Sequence, residues 1–505
     1  MSSQITERIS TLSRSRRWAA LAVLLFPVLL VSVDNTVLSF AVPAISAALS
    51  PTGAQLLWII DIYPLILAGL LVPMGFLGDR IGRRKVLLIG ATGFALVSAL
   101  AAFATDAFQL VLARALLGVF GAMLMPATLS LIRNIFPDAK ERRTAIAIWA
   151  SAFSGGAVLG PIVGGILLEH FWWGSVFLLA VPMLLPLLVG GLLLLPESKD
   201  PNPGRVDPWS IVLVIFTLLP FVYAVKSFTT EPLYIAVGAL SLAIVSGITF
   251  VRRQLVLANP MIDVRLFSNG VFSGALTVNL IGVFSLVGFI YFVSQHLQLI
   301  AGYSPLEAGL LMTPGLVLTM AFGLLSVPLA ARFGAPGIMV GGLLLSALAY
   351  ALVVFAGSSG DVFWLMVAFC ILGIGVGMSE TLSNDMVLSA VPAAKSGAAS
   401  AISETAYEVG AVLGVAVLGT ILNTVYAAQL RVPEILTDAE VHLAGETLSG
   451  AHQIAQGLPA SQAQELLASA AHAFDNGVLI TSSIAAVLAL AAAIVVARII
   501  KPATR

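Results

Sequence analysis

Residues 56–85 read LLWIIDIYPLILAGLLVPMGFLGDRIGRRK. The apolar part holds a single acid, Asp61, and no basic side chain. It closes on Gly75-Phe76-Leu77-Gly78-Asp79-Arg80-Ile81-Gly82-Arg83-Arg84-Lys85, where the cations crowd together. An apolar run of about 20 residues spans a bilayer as a helix, and cations gathered at one end mark that end as cytoplasmic.

The same grammar continues outward in both directions. Hydrophobic residues make up 59% of the 505 positions and charged residues only 10%. Spans are predicted at 19–42, 56–76, 85–104, 108–131, 144–167, 174–195, 209–226, 233–251, 271–295, 304–328, 337–356, 362–384, 396–422 and 477–497. With the N-terminus inside, the Lys and Arg residues fall in loops on one face. The exceptions are Lys226 and Arg431, expected outside, and Arg114, within a span. A wrong helix count would scramble that sorting. The expectation is an all-α polytopic membrane protein with both termini cytoplasmic.

The basic residues act as topology determinants in short loops, so no nucleic-acid partner is expected. The lone Cys370 lies in an apolar span and supports no disulfide framework. Arg16-Arg17 precede the first apolar run, but no convincing cleavage site appears before Pro43, so that run is read as an uncleaved helix.

Two echoes indicate an internal repeat. Gly156-Ala157-Val158-Leu159-Gly160 recurs as Gly410-Ala411-Val412-Leu413-Gly414, and Leu77-Gly78-Asp79-Arg80-Ile81-Gly82 resembles Leu329-Ala330-Ala331-Arg332-Phe333-Gly334. They predict two six-helix bundles, 19–195 and 266–497, joined by a linker at 196–265 that carries two extra helices. Tails occupy 1–18 and 498–505. Parallel repeats place a substrate site at their interface, near mid-bilayer. One long outer loop, 426–475, holds Thr437-Asp438-Ala439-Glu440, a capping box, and a second helix-forming run at 461–473. It is predicted to be an external helical hairpin.

Ionisable groups inside hydrocarbon are costly and point to a cavity or a partner. Here they are strongly acidic: Asp34, Asp61, Glu404 and Glu408, with Glu380 and Asp385 deeper toward the inner face, against Arg114 alone. Glu404 and Glu408 are four apart and share a helix face. An acidic cavity favours a cationic guest. Desolvation also favours protonation of carboxylates in general, so a proton and a cation would compete for one site, the simplest physics of antiport. Aromatic residues accompany the acids in sequence: Trp58, Tyr63, Trp149, Phe153 and Tyr407. A lipophilic cation is well held between π faces and a carboxylate. Met123, Met125 and Met312 are weaker candidates for an adaptable wall. Gly155-Gly156, Gly160-Pro161 and Gly164-Gly165 should let one helix pack closely and bend. No enzyme constellation appears, and the five His lack metal-ligand spacing.

These motifs resemble the major facilitator superfamily, and within it the 14-helix drug:proton antiporter family of QacA/SmvA-like multidrug efflux pumps. The resemblance rests on Gly75–Lys85; on Arg114 with Gly118 and Gly121; on Gly156–Gly165; on Asp34-Asn35-Thr36-Val37 with Val42-Pro43; on Trp58-Ile59-Ile60-Asp61 with Tyr63; and on Gly302-Tyr303-Ser304-Pro305. It implies Asp34 as the main protonation site, with Arg114 tuning or relaying the proton. Asp61, Glu404 and Glu408 would serve drug recognition or coupling. Gly75, Gly78, Asp79, Arg80, Gly82 and Arg83 would clamp the inner face during rocking, and Gly156, Gly160, Pro161 and Gly164 would form the antiporter motif. Implied partners are lipophilic cationic small molecules, protons as the coupling ion and membrane lipid, with no other cofactor or metal, in a functional monomer of the bacterial cytoplasmic (inner) membrane.

Three departures stand out. Ala331 replaces the acid in the second-half echo, Trp172-Trp173-Gly174 opens span 6, and the region around Gly323 lacks a mid-membrane acid. The last implies a preference for monovalent cations, overturned if chlorhexidine is exported as well as ethidium. Competing readings are an exporter of one endogenous metabolite and a non-transporting membrane sensor or scaffold.

Overall fold

The computed structural model describes residues 13–199, 207–228, 231–257, 260–356, 361–391 and 396–500. Arg8, Arg205, Lys395, Lys501 and Arg505 of the predicted charge pattern lie outside the described residues. The helices are α1 (Arg14–Leu49), α2 (Gly53–Ile81), α3 (Arg83–Ala101), α4 (Ala107–Ile135), α5 (Lys140–His170), α6 (Ser175–Leu194), α7 (Pro208–Ser227), α8 (Leu233–Val256), α9 (Gly270–Ile300), α10 (Pro305–Phe333), α11 (Ala335–Phe355), α12 (Val362–Ser389), α13 (Ala399–Gln429), α14 (Asp438–Glu446), α15 (Leu448–Ala455) and α16 (Ala460–Ile499). All but α14 and α15 are long and apolar enough to cross a membrane, giving 14 spans. Among the described residues there is no strand.

Sequence-local chemistry sets the helix starts. Thr52 with Gln55, Ser304 with Glu307 and Thr437 with Glu440 form reciprocal capping boxes at α2, α10 and α14, each satisfying donors that a helix N-terminus leaves open. The outer hairpin departs from its expected form in one respect. The run at 461–473 does not end before the last span; it is continuous with it as α16, 40 residues long, or about 60 Å. The breakers Gly457 and Pro459 precede it, and Gly477 stays helical because it packs directly on Leu422 of α13.

Both echoes have structural counterparts. Cβ atoms on Gly156 and Gly160 would meet the Leu29 and Val33 carbonyls of α1, and on Gly410 and Gly414 the Leu280 and Phe284 carbonyls of α9. Helices α5 and α13 therefore lean on α1 and α9 through equivalent glycine seams. Gly82 and Gly334 both adopt positive φ, 121° and 82°, a backbone turn that favours glycine.

The two bundles meet along α2 with α13 and α5 with α10. The glycine run of α5 divides between these jobs. Gly156, Gly160 and Gly164 face α1 of their own bundle, while Gly165 and Pro161 touch Leu306 and Gly309 of α10. The inserted pair α7–α8 forms a hairpin, and α7 lies against both α2 and α13, over one seam.

The face holding the outer loop is closed. Ser294 Oγ donates to Ser39 O at 2.9 Å and Gln298 Nε2 to Phe40 O at 3.3 Å, joining α9 to α1. The α14–α15 hairpin covers the same face. Gly53 N donates to Glu446 Oε2 at 2.6 Å, and Ser46 and Thr447 hydroxyls lie 3.3 Å apart. Tyr426 OH anchors the hairpin to α13 through the Ala444 carbonyl at 2.9 Å.

Candidate functional site

Predicted site residues assemble in three groups: one within the first bundle, one between the bundles, and one where α7 meets α2. The first is centred on Arg114. Gly118 and Gly121 of α4 abut Tyr63 of α2, where a Cβ would meet its carbonyl oxygen or its ring. That close approach lets the Arg114 guanidinium reach three elements. Nη1 donates to Asp34 Oδ2 of α1 at 2.7 Å, Nε donates to Ile59 O of α2 at 3.1 Å, and the group lies 4.5 Å above the Tyr63 ring. Arg114 is 2% exposed and Asp34 8%, so the pair is shielded from bulk solvent. A planar fork meets these partners together, which a lysine cannot do.

The second group lies on α13. Glu404 lines a cavity of about 310 Å³ that includes Leu71 and Asp79 of α2, Met125 and Arg133 of α4, and Trp149 of α5. Its wall runs from mid-membrane to the face carrying the basic loops. Glu408, one turn away, is buried, and its Oε2 has no hydrogen-bond partner. Glu380 lies within electrostatic reach of Glu404, and Glu408 within that of Asp34. Phe153 of α5 meets Tyr407 of α13 edge-on at 6.0 Å, and Trp149 Nε1 donates to Thr128 Oγ1 at 3.1 Å. Asp385 is exposed, away from this group. Of the methionines, Met125 lines the cavity; Met312 is buried in the hydrophobic core and Met123 packs against Gly90.

The third group corrects the sequence reading. Lys226 was expected in an outer loop and Arg114 as the sole basic residue in a span. Lys226 instead lies in the last turn of α7, 3% exposed, with Nζ 2.8 Å from Asp61 Oδ2 and 4.0 Å from the centre of the Trp58 ring. Asp61 is fully buried. The long apolar stem of lysine lets a residue near a helix end deliver its charge inward. Linear spacing carries no sign that α7 folds against α2, so this pairing was not legible in the sequence.

At the basic face, Asp79 pairs with Arg83 at 2.8 Å within the first bundle, Gly75 abuts Pro126 of α4, and Arg80 is exposed. Glu197 and Ser198, which the sequence reading passed over, hold this turn. Glu197 Oε1 accepts from Arg84 N at 3.1 Å, and Ser198 O accepts from Arg83 N at 2.9 Å. Of the histidines, His296 lies 3.2 Å from Asp475 and His442 3.6 Å from Glu446.

The chain is 55% identical over 488 residues to the multidrug efflux pump LfrA of Mycolicibacterium smegmatis, covering 96% of this chain and 97% of LfrA. It is 37% identical over 485 residues to the methyl viologen resistance protein SmvA of Salmonella typhimurium, covering 94% and 97%. Among solved structures, it resembles a bacterial homolog of the human lysosomal transporter Spinster, inward-facing and unoccupied. That match has TM-score 0.66 and 18% identity, covering 97% of this chain and all of that one. A POT family transporter in complex with 5-aminolevulinic acid aligns with TM-score 0.63 and 14% identity, covering 95% and 96%. Residues 24–415 match the Major Facilitator Superfamily. This chain, a multi-pass protein of the bacterial cytoplasmic membrane, is a transporter that belongs to the Major Facilitator Superfamily.

Proposed function

We propose that the chain exports lipophilic cationic drugs, dyes and quaternary ammonium antiseptics in exchange for protons, by alternating access. The observation that carries this reading is the inter-bundle cavity with Glu404 in its wall, reaching the basic face while the opposite face is closed. By the positive-inside rule the basic face is cytoplasmic, so both termini are inside and the cavity is in an inward-facing state.

Within this reading the acids divide by partner. Asp34 is held by Arg114, whereas Glu404 and Glu408 present carboxylates beside Tyr407 and Phe153. A cation entering from the cytoplasm meets Glu404 first. Its charge, felt through Glu408 and Arg114, favours release of a proton from the site, and protonation from outside favours release of the cation. The bundles 19–195 and 266–497 rock about the α2–α13 and α5–α10 seams, and 196–265 connects them. The names of LfrA and SmvA, a multidrug pump and a methyl viologen resistance protein, support drug export. Proton coupling and the quaternary ammonium range are this proposal's own.

The test uses energised inverted vesicles with a pH-sensitive dye. Ethidium added to wild type should release protons from the vesicle lumen, and Asp34→Asn should abolish the response. Absence of a response to any cation, with folded protein present, overturns the proposal.

A further inference from the structure

We propose that Lys226 is a built-in cation that occupies the Asp61–Trp58 site and disfavours compact bis-cations relative to substrates of single positive charge. The inference rests on the export reading above and adds a specificity-determining residue from the inserted helices.

The geometry is that of a cation site already filled. A carboxylate at 2.8 Å and an indole face at 4.0 Å enclose one ammonium, with Asp61 and Lys226 both buried. This is the arrangement that holds a cationic ligand, since a desolvated ammonium gains from both a carboxylate and a π face. Here the ligand is tethered to α7. Elsewhere α7 packs through partly buried Ile211, Ile215, Leu218 and Leu219. Apart from Ser210, its fully buried residues cluster near this end, at Val222, Ala224, Lys226 and Ser227, and Val222 joins Leu65 of α2 and Val412 and Ala416 of α13 in one small apolar cluster. Trp209, Phe216 and Phe221 along the helix are exposed.

The position of Asp61 relative to Glu408 makes the charge count matter. Thr405 of α13 lies against Ala68 of α2 at 3.5 Å. Counting about 1.5 Å per residue in opposite directions along the two helices puts Asp61 about 6 Å beyond Glu408 toward the closed face. A carboxylate freed at Asp61 would join Glu408 to form a two-point site for a compact bis-cation. With Asp34 neutralised by Arg114 and Asp61 by Lys226, the negative charge left for a guest is confined to the glutamates of α12 and α13.

The experiment measures binding to the purified full chain, ethidium by its own fluorescence and methyl viologen by competition, in wild type, Lys226→Met and Asp61→Asn/Lys226→Met. Close charge pairs at interfaces couple strongly. Lys226→Met should therefore tighten methyl viologen relative to ethidium by about tenfold or more, and the gain should vanish in the double variant. An unchanged ratio in Lys226→Met, or a gain that persists without Asp61, overturns the inference while leaving cation export standing. Wild type that binds neither cation overturns the export reading and this inference with it. If Lys226→Met does not accumulate, Lys226→Gln keeps a donor for the carboxylate while removing the charge, and the same ratios apply.

Discussion

Arg114 Nη1 lies 2.7 Å from Asp34 Oδ2, both side chains buried, while the same guanidinium donates to the Ile59 carbonyl and covers Tyr63. One side chain thus ties α1, α2 and α4 together. Removing one member of a buried pair strands the other, at about 3–5 kcal/mol. Arg114→Ala should lower stability by that amount, read as thermal unfolding in detergent. Arg114→Lys keeps a charge but loses the fork, and should sit between wild type and Arg114→Ala. Asp34→Asn/Arg114→Met should recover most of the stability and none of the export. A double variant as unstable as Arg114→Ala would show that the pair's charge is not what strands the site.

Glu404 is partly exposed in the cavity wall, so it can be neutralised with little folding penalty. Glu404→Gln should weaken ethidium binding about tenfold, the scale of one charge contact to a cation, with unfolding temperature unchanged. Tyr407→Ala should weaken it further by loss of a π face. Equal affinity in all three proteins would remove Glu404 from the substrate site.

The glycine seams separate two kinds of glycine. A methyl at Gly414 would lie 2.5 Å from the Phe284 carbonyl and at Gly156 2.8 Å from Ser32 Cβ, whereas nothing lies within 4 Å of one at Gly155. Gly414→Ala and Gly156→Ala should each cost about 1–3 kcal/mol by overpacking and reduce export. Gly155→Ala should be neutral or slightly stabilising, because alanine favours helix. Accumulation and unfolding temperature of the three variants decide this.

The hairpin between α13 and α16 holds the outer face through Glu446 and Thr447. Glu446→Ala/Thr447→Val removes these two contacts to the first bundle, leaving Ser50 Oγ donating to Gln453 Oε1 at 3.3 Å, and should favour opening on that face. Labelling of a cysteine introduced at Ser39 by an impermeant thiol reagent, in a background where Cys370 is replaced, should rise severalfold. No rise would mean that the remaining α1–α9 and α1–α15 contacts suffice to keep the face shut.

Outside the membrane, Asp207 ties the two ends of the inserted hairpin together through Arg253. Hydrogen bonds from Arg253 Nε and Nη2 at 2.8 and 2.9 Å, with further help from Ser210, hold its carboxyl down at about 2. The folded-state value is depressed, so its stabilisation is present above the unfolded value of about 3.9 and lost as pH falls through about 2. Solvent screening limits it to about 1 kcal/mol. Asp207→Asn should be less stable than wild type by that amount at pH 7, and the gap should close between pH 4 and pH 2. A gap that persists at pH 2 would assign the effect to lost hydrogen-bond geometry with Arg253 and Ser210 and not to charge.

Much of the architecture was legible because it depends on local composition. Apolar length marks the spans, and helix-capping residues mark where α2, α10 and α14 begin. Glycine periodicity marks the faces that approach closely, and the paired echoes mark the repeat. The α16 boundary was not legible, since Gly477 is a breaker in isolation and a packing residue only against Leu422.

The candidate site divides the same way. Sequence alone determined that Asp34, Asp61, Arg114, Glu404 and Glu408 sit in apolar helices where a charge needs a cavity or a partner. Tertiary structure decided which of these it was. Asp34 and Asp61 received cations, and Asp61 received one from a residue 165 positions away that linear reading had placed outside the membrane. Glu404 received a cavity. The physical reason is that helical periodicity specifies which face a side chain occupies, while partner identity depends on which helices cross there and at what depth. For Lys226 that was settled by the packing of α7 against α2 and α13 and by a side chain long enough to reach across the contact.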